Sequence, residues 1–239
     1  MENLIKGSSE LNKMFAAMQR TGAGLRRDFG EVENLQQSLS GARDFVKKAA
    51  KRIEEAILQD LMLVRPMAGV LTPNYSKQGD GRDEFVLALS GAESFVRGNP
   101  LFAISLALRS NDETKIALIY SPIDDRLYYA EVGTGAFAFQ AFHSIKINVS
   151  GQKEPRDLMI GLGSCDQSSQ FPAISRRCTG CPALDLAWVA SGKFDGFVSE
   201  PLDYAEICAG ELMILEAGGE ISMDAELIAT NKRFTPNSL

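Results

Sequence analysis

Side chains able to do chemistry are few in this chain and thinly paired. Cys178 and Cys181 have the two-residue separation of a zinc or redox pair. No second pair follows, so Cys178-Thr179-Gly180-Cys181 by itself is a weak signal for either chemistry. The single histidine, His143, follows Phe142 in a strand-like segment, and nothing beside it suggests the nucleophile system it would have to serve. The glycine-rich stretches match neither a P-loop nor a dinucleotide fingerprint. Lys47, Lys48, Lys51 and Arg52 form a basic cluster that suits either an anion partner or a hydrated helix face, and the hydrated face is the preferred reading.

The elements that must position these groups can be read from periodicity. Apolar residues recur at helical steps over Ser9 to Phe29 and over Asp44 to Val64, with Leu39-Ser40-Gly41 read as the break between them and Pro66 as the stop. After a hydrophilic loop from Asn74 to Glu84 come short apolar or alternating segments bounded by Gly, Pro, Asn and Asp, which predict an antiparallel sheet, with Pro122 to Asp125 as a hairpin turn. The second half predicts a strand near Met159, a helix over Pro182 to Ser191, a strand at Gly196 to Ser199, a helix over Ala205 to Ala217 ended by Gly218-Gly219, and strands around Ile221 and Ile228.

With 239 residues, 45% of them hydrophobic and 23% charged, the chain can bury a substantial core. A net charge of -6 argues against direct nucleic-acid binding. No apolar run is long enough to cross a membrane and the amino terminus lacks the pattern of a secretion signal, so the expected location is the cytoplasm, with four cysteines read as free thiols. No repeat or linker divides the chain.

Four ordered segments carry a resemblance. Gly91-x-x-x-Phe95-x-x-Gly98-x-Pro100 continues to Ser105-x-Ala107-Leu108. Tyr120-Ser121-Pro122 precedes Ala130-Glu131-x-Gly133-x-Gly135-Ala136-Phe137. Gly180-x-x-Ala183-Leu184-Asp185-Leu186-Ala187 precedes Gly192-x-x-Asp195-Gly196-Phe197. Last come Ala209-Gly210 and Glu216-Ala217-Gly218-Gly219. Over roughly Asp44 to Asn231 the chain resembles the inositol monophosphatase family, called the extragenic suppressor type in bacteria. The resemblance implies an α/β fold, a five-layer αβαβα sandwich, built as a single unit over 1–239 with an α+β half over about 1–150 and an α/β half over 151–239. It also implies a homodimer or a mixed dimer with a paralogue, and a possible protein partner, since some bacterial relatives act in transcription complexes.

The family hydrolyses phosphate monoesters with magnesium held by clustered carboxylates. Counted back from Phe95, the aspartates of its DPxDGT segment fall on Leu87 and Ser90, its proline on Ala88, its glycine on Gly91 and its first threonine on Ala92. Leu89 matches a position that gives only a backbone carbonyl. The family's glutamate pair falls on Pro73 and Asn74, and its VTxAD segment on Val46 to Ala50. The aspartate of its WD pair falls on Glu206, and its substrate-side glutamate on Ser199, with Glu200 adjacent. The expectation is a family member without magnesium-dependent phosphomonoesterase activity, with no intact catalytic residues and no cofactor, acting through binding. The alternative is an active hydrolase with a relocated or single-metal site that uses Glu206, Glu93 and Asp83.

Overall fold

The computed structural model describes residues 5–35, 38–73, 75–164, 175–224 and 226–233. Two long helices come first, α1 (Ser9–Asn34) and α2 (Leu39–Val64). Ser8 and Ser38 begin them, each side-chain oxygen accepting a backbone N–H, from Leu11 and Gly41 respectively. The break expected at Leu39-Ser40-Gly41 is therefore the first turn of α2, and Ser38 is the punctuation. The Gly41 amide donates to Ser38 Oγ, as that of any residue but proline could, so the glycine does not end the helix.

An eight-stranded sheet follows, made of β1 (Gly69–Thr72), β2 (Tyr75–Lys77), β3 (Asp83–Ser90), β4 (Ala103–Ser110), β5 (Glu113–Ser121), β6 (Arg126–Glu131), β7 (Gly135–Gln140) and β8 (His143–Ile147), in the order β2-β1-β3-β4-β5-β6-β7-β8. All neighbours are antiparallel except β1 and β3. A short helix, α3 (Ala92–Val96), interrupts the strands after β3. With only five residues it has too little length to show a period in sequence.

Alternation along these strands sorts large from small side chains. One face presents Phe85, Leu87, Leu89, Leu106, Leu118, Tyr129 and Phe137, packed against α1 and α2. The other is mostly alanine, with Ala88, Ala103, Ala107, Ala117, Ala130, Ala136 and Ala138 joined by the larger Val86, Ile119, Tyr128 and Ile147. That shallow alanine face admits two helices at close range, α4 (Pro182–Ala190) and α5 (Tyr204–Glu216). The helices also approach each other closely, since a Cβ on Gly210 of α5 would stand 2.5 Å from Leu186 of α4.

Beneath α4 and α5 lies the second sheet, β9 (Met159–Leu162), β10 (Ser175–Arg177), β11 (Gly196–Ser199), β12 (Glu220–Met223) and β13 (Leu227–Thr230), in the order β10-β9-β11-β13-β12. The short strand β10 falls in a stretch read as loop. Among the described residues the layers run helix, sheet, helix, sheet, with Leu158, Ile160, Leu162 and Val198 forming a small apolar cluster on the second sheet. The fold is the mixed α/β arrangement of two sheets and helices expected from the sequence. No described helix is long and apolar enough to cross a membrane.

Candidate functional site

The strand β3 carries its eight residues out to Ser90, where Gly91 turns the chain into α3 with φ of 80°. A Cβ at Gly91 would lie 2.5 Å from the carbonyl oxygen of Leu101, so the turn accepts only glycine. Ser90 is fully buried, and its Oγ accepts the backbone N–H of Ala183 at 3.3 Å, in the first turn of α4. The same hydroxyl lies beside the Glu206 carboxylate and the Cys181 thiol and acts to lower the pKa of each. Ser90 thus ties the end of β3 to the amino-terminal ends of α4 and α5.

Glu206 sits in the first turn of α5, behind the N-cap Asp203, whose side chain accepts the Ala205 N–H at 2.9 Å. Burial raises the Glu206 pKa and the nearby Asp203 carboxylate adds to the effect, while the Ser90 hydrogen bond opposes it. Ser199 ends β11, buried against Gly163, and the exposed Glu200 begins the connection into α5. The substrate-side positions therefore lead directly to the helix that carries Glu206.

Asp185 completes the buried group and was missed as a site residue in the sequence, where it appeared only as part of a motif. It is 1% exposed, and its Oδ2 accepts a hydrogen bond from Thr179 Oγ1 at 2.7 Å. Its Oδ1 has no hydrogen-bond partner among the described residues. Burial pushes its pKa up to about 7, against the Thr179 hydrogen bond. Cys181 is also buried, which pushes its thiol up to about 12 and makes it an inert packing group rather than a nucleophile. Cys208 is a free thiol as well, and Cys165 lies outside the described residues.

Other predicted positions are not brought into this group. Leu87 and Leu89 point to the opposite face of the sheet, in the apolar cluster with α1 and α2. Pro73 is exposed just past β1, Asn74 lies outside the described residues, and Ala92 is exposed in α3. Glu93 pairs with Arg43 at 3.2 Å, both largely exposed. Asp83 lies at the other end of β3 from Ser90, about 23 Å away at roughly 3.3 Å per residue. There it is bound to Arg65, which also holds Glu10 at 2.6 Å. The relocated site of Glu206, Glu93 and Asp83 is not assembled, because strand length and two separate arginines hold its members apart. A cavity of about 370 Å³ opens at that remote end, lined by Gly69, Asp80, Arg82, Asp83, Glu84 and Arg109 among others. It shares no residue with the Ser90 group.

The basic cluster of α2 lies on its solvent side: Lys47, Lys48, Lys51 and Arg52 are exposed. Arg52 reaches Asp28 at 2.5 Å and Lys51 lies 3.9 Å from Glu55. These pairings agree with the hydrated-face reading.

The sequence profile of the inositol monophosphatase family matches residues 8–227. An inositol-1-monophosphatase of Rhizobium meliloti is 38% identical over 235 residues, covering 92% of this chain and 86% of that protein. A protein named Nus factor SuhB in Escherichia coli K12 is 28% identical, covering 89% of this chain and 84% of its own. The crystal structure of an extragenic suppressor protein suhB from Bartonella henselae superposes with a TM-score of 0.82 at 32% identity, over 95% of each chain.

These matches correct one expectation. The sequence reading assigned no cofactor, yet the profile that fits nearly the whole chain is that of a magnesium-dependent family, and a relative carrying the enzyme's name aligns along most of it. Magnesium belongs to the chemistry of this chain's relatives. Among the described residues the side chains do not reproduce a carboxylate cluster for it: no three His, Cys, Asp or Glu side chains are placed so that they could hold a metal ion, and the Ser90 hydroxyl is already engaged by the Ala183 N–H.

Proposed function

The chain belongs to the inositol monophosphatase family, and from that premise we propose that it is a member in which magnesium-dependent phosphomonoester hydrolysis has been lost and which acts by binding a protein partner or a paralogue. The observation that carries this reading is the state of β3. Where the family's segment places two aspartates, this strand has Leu87 packed in an apolar cluster and Ser90 sealed between two helices. A phosphoryl group brought to that strand would meet no charge to offset its own, and desolvating it there is unfavourable. Glu206 is the one carboxylate at the matching positions, and its raised pKa marks a poor environment for its ionised form.

An active hydrolase using Glu206 as its principal acidic ligand is the second reading, favoured by the 38% identity to a relative named as the enzyme. Phosphate release from inositol phosphates, fructose bisphosphate and a chromogenic ester, measured over a range of magnesium concentrations, separates the two. The first reading predicts turnover below about a thousandth of an active family member's, the scale on which loss of one strong transition-state stabiliser acts. Saturable turnover that disappears in Glu206→Ala would establish the second.

A further inference from the structure

Two hairpins of the large sheet use the same tight turn with very different residues. Between β4 and β5, Ser110 pairs with Glu113 around Asn111 and Asp112, whose φ values are 52° and 64°. Between β7 and β8, Gln140 pairs with His143 around Ala141 and Phe142, with φ values of 50° and 65°. Asn and Asp tolerate this left-handed backbone; Ala and a bulky aromatic do so only under strain. The strained turn holds Phe142 at the hairpin tip, 89% exposed. Strain of this kind persists where the surroundings enforce it and is found at functional positions.

Beyond that turn runs β8, an outer strand of the eight-stranded sheet. The register with β7 and the two-residue turn direct the N–H groups of His143, Ile145 and Ile147 toward β7, which leaves those of Ser144 and Lys146 pointing outward. Side chains alternate as well. Ile145, 62% exposed, lies on one face with His143, and Lys146 lies on the other with Ser144. Lys6 adds a second cation on the Lys146 face, 5.5 Å over the ring of Phe137, the cross-strand partner of Lys146. The nearby carboxylates are already committed: Glu131 accepts the Ser8 N–H, and Glu216 accepts those of Gly133 and Gly135.

We propose that the Phe142 hairpin and the open edge of β8 form a docking edge for an extended segment of a protein partner, apolar at alternate positions and acidic between them. Such a strand continues the sheet through the outward amides of Ser144 and Lys146, sets its apolar row beside Ile145 and its carboxylates beside Lys146 and Lys6, and packs against Phe142. This rests on the reading that the chain acts through binding, and names the surface and the chemistry of the partner.

The probe is a short end-capped synthetic peptide with valine alternating with glutamate, and its counterpart with lysine for glutamate, titrated into the full chain. The acidic peptide is expected to bind about tenfold or more tightly than the basic one, and to slow amide exchange at Ser144 and Lys146 by about tenfold. The double variant Ala141→Asn, Phe142→Gly relieves the turn and deletes the anchor. It should lose peptide binding while its Tm rises by about 2 °C or more. Lys146→Glu should reverse the peptide preference. Equal binding of both peptides, no binding of either, or unchanged binding by the double variant would overturn the proposal. So would a dimer of the wild-type chain that the double variant dissolves, since a second copy would then occupy the edge. Phosphate release assayed on the same samples keeps the two readings apart: turnover with the peptide result intact refutes the loss of hydrolysis and leaves the docking edge standing.

Discussion

Leu87 and Asp185 make opposite demands on charge, and each can be tested alone. Leu87 is 1% exposed among apolar side chains facing α1 and α2. Restoring the family's carboxylate there, as Leu87→Asp, buries a charge without a partner and should destabilise the fold by about 3 kcal/mol, read as a lowered urea midpoint. An unchanged midpoint would mean that the position reaches solvent or an ion. Asp185 is already a buried carboxyl, with a pKa pushed by desolvation from 3.8 up to about 7. Because the folded chain keeps this proton where the unfolded chain releases it, the associated stability is complete below the unfolded value and is lost as pH rises through about 7. Asp185→Asn should remove roughly 3 kcal/mol of the stability difference between about pH 4 and about pH 8, measured by denaturant unfolding at both. An undiminished difference would show that other groups carry it. The two differ in how far sequence reveals them: once β3 is read as a strand, its alternation already turns Leu87 away from Ser90, whereas the unpaired Oδ1 of Asp185 follows from tertiary packing alone.

At the scale of elements, local signals located most helices and strands because alternation and capping act within a few residues. They failed where two signals competed. Gly41 looked like a break, yet Ser38 recruits its amide and α2 begins two residues earlier. The helix α3 is set by its turn, since Gly91 with φ of 80° fits against Leu101 and no longer side chain does. Gly91→Ala should cost about 2 kcal/mol or more and loosen the link from β3 to α4, measured as faster amide exchange at Ala183. At the start of α5, Asp203→Ala should cost about 1 kcal/mol by deleting the cap on Ala205; a loss within error would show that the cap is replaced by solvent.

For the whole molecule, the layer order followed from segment order and the motifs, and the alanine face of the large sheet explains why α4 and α5 can be held so near to β3. The convergence of Cys181, Asp185 and Glu206 on Ser90 brings together residues that lie more than ninety positions beyond it, which no local pattern encodes. The alternative acidic trio failed for the converse reason, since an eight-residue strand separates Asp83 from Ser90 however close they stand in sequence. Release of phosphate from inositol 1-phosphate by an excess of the chain at saturating magnesium, in a single-turnover experiment, isolates the chemical step from product release. The account predicts no release beyond the uncatalysed rate over hours; magnesium-dependent release abolished by Glu206→Ala would contradict it.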